Sequence, residues 1–288
     1  MSYFLAVDVG KTNIGIVLGD EEGFCERVES YSSGEYWSQE GLETVISSYL
    51  SSKDIEVSDV ERIGMAVPGV VNRQEKCVEK DIMDSRIDFS ELEESLGIEI
   101  SIANDGDVAV LGQKQVHGSE NLVNIIIGSG IGAGVVYDGK LLWGDQRGGP
   151  EPGSTFVGEE IWQAYGGNII PEKVNEWLED EERNTELGDE IETASELFQL
   201  SSDDEVAQGY LEEIEQAMAR GITNTVNAYA PDFLTFTGSV ATKNPEFIRR
   251  CFERASEDFF NQKPEIKISD PDAQIPLKGA LALARKDR

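Results

Sequence analysis

Histidine occurs once in the 288 residues, as His117, and cysteine three times, as Cys25, Cys77 and Cys251. The cysteines are odd in number, far apart and never in a C-x-x-C pair, which excludes a disulfide framework and a zinc site of the usual spacing. His117 sits in Q-V-H-G-S and supports no Ser-His-Asp triad. No apolar run approaches the roughly 20 residues that span a bilayer. The opening M-S-Y-F-L-A-V-D lacks a basic n-region and meets Asp8 at once, so it does not read as a signal peptide. Cations are scarce as well: 24 Lys and Arg face 56 Asp and Glu, a net charge of −32. That is far outside the magnitude of about 2–8 suited to a small domain. Phosphate backbones are bound by clustered Lys and Arg, so a nucleic-acid partner is excluded, and so is docking on an anionic leaflet. A reducing cytoplasm is the expected home.

What is present is enough for a packed core. Hydrophobic residues make up 39% of the chain and 23 residues are aromatic, which argues against disorder. The length suits one large domain or two of about 140 residues. Acid is spread widely but densest over 172–205, where fourteen Asp and Glu face Lys173 and Arg183; this reads as a solvated helical face. In molar salt the Debye length falls to about 3 Å, so a surplus of this size suits a cytoplasm rich in salt.

The order of elements repeats. Alternation marks strands at Tyr3–Val9, Asn13–Gly19 and Phe24–Tyr31, then a helix at Leu42–Ser51, a strand at Arg62–Val67, a helix at Phe89–Leu96, a strand at Glu99–Ile102 and a helix from Asp105. Strands restart at Leu122–Ile127, Ile131–Tyr137 and Lys140–Trp143, the last beyond the Asp138-Gly139 turn. Helical segments fill 157–229, the last a long amphipathic run from about Asp204 to Tyr229, followed by a strand at Phe233–Thr237, a helix around Glu246–Phe260, a strand at Glu265–Ile268 and a helix at Leu277–Arg285. The repeat lies in topology, since identity between the halves is not evident. Two like α/β domains across a cleft follow, the first 1–104 plus about 275–288, the second 105–274 with a helical insertion. Ligands belong in such a cleft.

Two glycine turns carry the chemistry. D-V-G-K-T-N joins two strands. A Walker A loop needs glycine where Leu5 stands and a helix after Lys11-Thr12, so that reading fails. What remains is a hairpin bend at Gly10 with Lys11, Thr12 and Asn13 as donors and Asp8 at the strand end; an ordinary turn is the plain alternative. The second turn, I-I-I-G-S-G-I-G-A-G-V-V, fits the permissive dinucleotide fingerprint, but a strand follows where that motif needs a helix. Glycines this dense let backbone N–H groups approach phosphate oxygens closely. T-G-S-V-A at Thr237–Ala241 follows another strand and suits a nucleoside or a backbone turn. Asn104-Asp105 stands where a strand meets a helix: an N-cap is the simpler account, and Asp105 as general base toward a substrate hydroxyl the sharper one.

In order, the chain reads Asp8 with its turn, G-M-A-V-P-G-V-V, A-N-D, G-S-G-I-G-A-G, G-G-P-E-P-G, T-G-S-V-A and P-L-K-G-A-L-A-L-A. Taken together, this resembles the ROK family of sugar kinases and regulators, of the actin/hexokinase-like ATPase superfamily, over nearly the whole chain. The resemblance implies two RNase H-like domains and an ATP- and Mg2+-dependent transfer of phosphate to a sugar hydroxyl, and it favours a homodimer. Asp8 would hold Mg2+ through water, Gly10–Asn13 and Gly128–Gly132 (with Ser129 and Gly130) would take the phosphates, and Gly238 with Ser239 would line the adenosine site. Asp105 would be the catalytic base, with Asn104 and Glu151 as sugar ligands. Departures from the family pattern are informative. Lys11 replaces the second glycine of D-x-G-G-T, and Ser154 replaces the histidine of E-x-G-H. The zinc-binding cysteine segment is missing, and Gln163 stands for a sugar-binding Glu. Both polar replacements still hydrogen-bond. A non-catalytic sugar sensor, or an ATPase with a non-sugar acceptor, is the alternative. A DNA-binding repressor is disfavoured because the first strand starts at Tyr3, leaving no room for a winged helix, and because of the acid surplus.

Overall fold

The computed structural model describes residues 2–80, 87–144, 148–180, 191–201 and 204–286. Of the acidic stretch 172–205, residues 181–190 and 202–203 lie outside these. Packing divides the chain into two compact units, Met1–Glu120 with Gly134–Pro150 and Gln274–Arg288, and Asn121–Ala133 with Glu151–Ala273.

The first half runs β1 (Tyr3–Val9), β2 (Asn13–Gly19), β3 (Glu29–Ser32), α1 (Ser33–Tyr36), α2 (Gln39–Ser52), β4 (Val60–Val67), β5 (Val70–Asn72), β6 (Cys77–Lys80), β7 (Ile87–Asp88), α3 (Phe89–Leu96), β8 (Glu99–Asn104) and α4 (Asp105–His117). Its main sheet has the order β3-β2-β1-β4-β8. Strands β1, β2 and β3 are antiparallel hairpin neighbours, while β1–β4 and β4–β8 are parallel. The strand read at Phe24–Tyr31 is shortened to Glu29–Ser32. Asp20 is the cause, its Oδ1 accepting from the N–H groups of Glu22 and Gly23 and holding a turn there. The small sheet β5-β6-β7 has no sequence signal, its strands being two to four residues long.

Alternation along β1 sorts the core. Leu5, Val7 and Val9 pack with Leu42, Ile46, Phe89 and Leu92 of α2 and α3. Phe4 and Ala6 face the other side, with Ala66, Ala103, Val108, Leu277, Ala280 and Leu281. The latter six residues belong to β4, β8, α4 and the last helix, α10 (Ile275–Arg285). The small side chains on this face let backbones close in. A Cβ at Gly64 would lie 1.9 Å from the Ala280 carbonyl oxygen, and one at Gly279 1.8 Å from that of Val108. Helix α4 therefore belongs with the first unit, as does Gly134–Pro150, whereas the sequence reading placed the boundary at 104/105. Replacing Gly279 with Ala is expected to lower unfolding free energy by about 1–3 kcal/mol through overpacking, measured by urea denaturation. An unchanged midpoint would contradict this packing.

The second half runs β9 (Leu122–Ile127), β10 (Ile131–Tyr137), β11 (Lys140–Leu141), α5 (Ile170–Asp180), α6 (Ala194–Leu200), α7 (Glu205–Tyr229), β12 (Phe233–Thr237), α8 (Ser239–Lys243), α9 (Pro245–Ser256), β13 (Glu265–Ile268) and α10 (Ile275–Arg285). Its sheet order is β11-β10-β9-β12-β13, and the chain passes from one unit to the other within β10. Each half thus places its strands in the order third, second, first, fourth, fifth. That recurrence is the topological repeat expected from the order of elements. In the second unit Trp162, fully buried, lies against Gly221 of α7 and donates its indole N–H to Met218 Sδ at 3.3 Å. The segment that follows Trp162 is thereby anchored. Among the described residues no helix is long and apolar enough to cross a membrane.

Candidate active site

In the first unit, β1 delivers Asp8 to the start of the hairpin turn. Gly10 N–H donates to the Asn13 carbonyl at 2.9 Å and closes the bend. Ser33, which the sequence did not mark, holds the turn's other carbonyls: its hydroxyl donates to Gly10 O at 2.7 Å and its N–H to Thr12 O at 3.0 Å. With those oxygens occupied, the N–H groups of Lys11 and Thr12 make no hydrogen bond among the described residues. The side chains of Lys11, Thr12 and Asn13 are exposed, and Asn13 Nδ2 donates to Thr12 Oγ1 at 3.2 Å. Free N–H groups beside an exposed lysine can receive an anion.

Asn104 closes β8 and caps α4. Its Oδ1 accepts from Gly106 N–H at 2.9 Å while its Nδ2 donates to the Gly69 carbonyl at 2.9 Å. The simpler N-cap account therefore holds for this side chain. It leaves Asp105 as the first helical residue, with Oδ1 accepting from Gly106 N–H at 2.9 Å. Asp105 keeps an accessible edge, but protein packed around its carboxyl strips enough water to raise its pKa. The N–H groups of Gly106 and Asp105 and the Asn104 amide pull the other way and lose. Half-buried Asp8 is pushed up to about 7, first by desolvation and then by the charge of Asp105. Two carboxyls that resist ionising together are a pair prepared for a proton or a cation. Asp107, 3% exposed and in the first turn of α4, lies against the G-G-P segment. A Cβ at Gly149 would sit 2.7 Å from its Oδ1. His117 closes α4, where a basic side chain suits the helix dipole.

In the second unit the other glycine turns converge. Gly128 N–H donates to the Gly130 carbonyl at 2.9 Å, and the Gly128 and Ser129 carbonyls accept from Gly167 N–H and Asn168 N–H at 2.8 and 2.9 Å. The N–H groups of Ser129 and Gly130 make no hydrogen bond among the described residues. Gly238, at φ +90°, fits against Ile127, where a Cβ would lie 2.4 Å from the carbonyl oxygen. A Cβ at Gly128 would come 3.9 Å from Ser239 N, so the two turns lie side by side. They open on a cavity of about 430 Å³ whose lining includes Gly128, Ser129, Asn168, Phe198, Ser239 and Lys243. Of these, Asn168, Phe198 and Lys243 went unread in the sequence, because they come from three separated segments that only the fold collects. Phe198 meets Phe247 edge-on, ring centroids 5.1 Å apart.

Glu151 and Ser154 are exposed on a single 3-10 turn, Pro152–Ser154, with Ser154 N–H donating to the Glu151 carbonyl at 3.0 Å. Gln163 is the surprise. Its Oε1 accepts from Ile131 N–H at 2.8 Å, and its Nε2 would lie 2.2 Å from a Cβ at Gly130. Here the amide props the glycine turn, and its Oε1 would also lie 3.3 Å from a Cβ at Gly153, so Gln163 stands between that turn and the P-E-P-G segment. Replacing Gln163 with Ala is accordingly expected to raise the nucleotide KM about tenfold, the worth of one net hydrogen bond. A rise confined to the sugar KM would instead support the sugar-contact role. Among the described residues no three His, Cys, Asp or Glu cluster to hold a metal. Asp8 with its raised proton affinity nonetheless suits Mg2+, which takes one or two carboxylates together with phosphate oxygens and water.

Comparison with known proteins bears on this arrangement. A glucokinase of Aeropyrum pernix is 26% identical, covering 100% of this chain and 98% of its own. The Streptomyces griseus ROK family glucokinase, solved with glucose and AMPPNP, superposes with a TM-score of 0.75 at 19% identity, over 99% of this chain and 100% of its own. A ROK family transcriptional regulator, homologous to the E. coli MLC protein, superposes with a TM-score of 0.81 at 18% identity, over 99% of this chain and 78% of its own. Structural likeness at such identities establishes the hexokinase-type ATPase fold, which kinases and regulators share. The ROK family model matches residues 4–287. With both glycine turns, the Asn104-Asp105 junction and the repeated sheet order inside that span, the chain belongs to the ROK family.

Proposed function

We propose that this protein is a cytoplasmic kinase that transfers the γ-phosphoryl group of ATP to a hydroxyl of a sugar or sugar derivative. The observation that carries the reading is Asp105, an accessible carboxyl of raised proton affinity at the start of α4, coupled electrostatically to Asp8. A sensor needs no group that takes up a proton; a kinase does. The named activity of the Aeropyrum pernix relative supports a hexose, and the AMPPNP complex of the Streptomyces griseus neighbour supports an adenine nucleotide as donor.

Asp105, ionised, accepts the proton of the attacking sugar hydroxyl as the phosphoryl group passes in line. Ser33 keeps the Gly10 and Thr12 carbonyls turned to itself, leaving the Lys11 and Thr12 N–H groups to the phosphates. Ser129 and Gly130 offer two more, and Lys243 a cation. Mg2+, held by Asp8 through water, would neutralise charge on the phosphates. Glu151 and Ser154 are the sugar ligands of this account, with Asn104 positioned by its cap. Incubation with MgATP and hexoses should yield a sugar-phosphate resonance in 31P NMR. A panel of hexoses, hexosamines and sugar acids that gives none would overturn the proposal.

The second reading, a non-catalytic sugar sensor, draws on the ROK family transcriptional regulator that superposes over 99% of this chain. It predicts sugar binding without turnover. The outer acid surplus we assign to a salt-rich cytoplasm. On that view the melting temperature rises by at least about 5 °C between dilute buffer and 2 M KCl, and a flat curve would sink it.

A further inference from the structure

The first unit holds a cavity that the kinase reading does not use. Its volume is about 430 Å³, within the range of small-molecule sites. Its charged lining among the described residues is Arg73, Lys76, Lys140 and Lys286 against a single acid, Glu99. In a chain with 56 acids and 24 bases, a cavity with four bases to one acid reverses the overall balance. The remaining walls are largely apolar, among them Ile102, Leu111, Leu141, Trp143 and Leu283.

The cations differ in how they are held. The Arg73 guanidinium carbon lies over the Trp143 ring, 3.3 Å from its centroid, so a charge and an aromatic ring are held together. Lys76 is tied to Glu93, which also accepts from Ile100 N–H at 2.8 Å. Lys286 reaches Glu99 at 3.3 Å, but Glu99 is gripped by Arg62 as well, at 3.1 Å. Lys140 makes no ion pair among the described residues. Charge to spare and an apolar floor call for one kind of occupant.

We propose that this cavity binds an organic anion, a carboxylate or phosphate carried on a flat apolar body. The apolar part lies on Leu141, Trp143 and Leu283, and the anionic group meets Lys140 and Lys286. None of these residues belongs to the nucleotide or sugar machinery proposed above, so the two readings stand or fall separately.

Isotope-labelled full-length protein titrated with 1-naphthyl phosphate, 1-naphthoate and neutral 1-naphthylmethanol tests this by NMR. Saturable shifts of the Trp143 indole N–H and the Ile102 amide are expected with one or both anions and not with the alcohol. The arm that binds more tightly identifies phosphate or carboxylate as the preferred group. Lys140→Glu combined with Lys286→Glu should weaken binding at least tenfold, and sugar-kinase turnover should be unchanged. Shifts confined to Gly128 and Ser239, equal binding of the alcohol, or no shift at all would overturn the proposal. So would a dimer that sediments as a monomer once Lys140 is replaced by Glu, since a second copy would then be the occupant.

Discussion

Asp105→Asn is expected to lower kcat on the order of 10³-fold, while nucleotide and sugar dissociation constants stay within about threefold. The substitution is nearly isosteric. Its amide oxygen can still accept from Gly106 N–H, and Asn104 still caps α4, so the local fold survives. What is lost is the ability to take a proton. The pH profile supplies a second check. Desolvation raises the Asp105 pKa, and the Gly106 N–H and other donors only partly offset it. The base works when ionised, so activity falls as pH drops through this raised pKa, at a higher pH than an ordinary carboxylate would give. A variant retaining wild-type kcat would end the mechanism.

Asp8→Asn is expected to lower kcat/KM by on the order of 10²–10³-fold through loss of the Mg2+-holding carboxylate. The same change should stabilise the metal-free protein at pH 8. Burial, and then the Asp105 charge, push Asp8 up to about 7. A carboxyl with a folded pKa above its unfolded value keeps in the folded state a proton that the unfolded chain has released, so its contribution is full below 3.8 and is lost progressively as pH rises to about 7. At 1.36 kcal/mol per pKa unit the ceiling is about 4 kcal/mol; screening at this half-buried position brings the expectation to about 1–3 kcal/mol. Urea melts in EDTA should therefore separate wild type from variant fully at pH 8 and by roughly a third as much at pH 5. Equal stability at both pH values, or an active variant, would show that Asp8 is not a strained cation ligand.

The elements with strong alternation or long periodicity were legible. Strands β1, β2, β9 and β10 and helix α7 lie within a residue of their sequence bounds, because their apolar spacing reports the sheet and helix faces directly. The domain boundary was not. Helix α4 joins the first unit because Gly112 and Gly279 let the backbones of α4 and α10 touch, and pairing between glycines about 170 residues apart leaves no periodic trace. At the candidate site, Asp8, Asp105, Gly128 and Gly238 stand out in the sequence because they lie in glycine turns or at strand ends. Ser33, Asn168, Phe198 and Lys243 do not, since each lies outside any turn motif and serves only through a neighbour the fold supplies. Gln163 was legible as a polar substitution but not as a prop, since that role depends on the Ile131 N–H facing it.

Glycine turns with unengaged backbone N–H groups suit phosphate chemistry. Whether that chemistry is catalysed is decided by ADP release from MgATP in molar KCl, with and without each of a set of hexoses, hexosamines and sugar acids. At least one sugar should stimulate release on the order of 10²-fold or more in the wild type, and Asp105→Asn should abolish the stimulation. Tight sugar binding with no stimulation by any of them would contradict the kinase and leave a sensor.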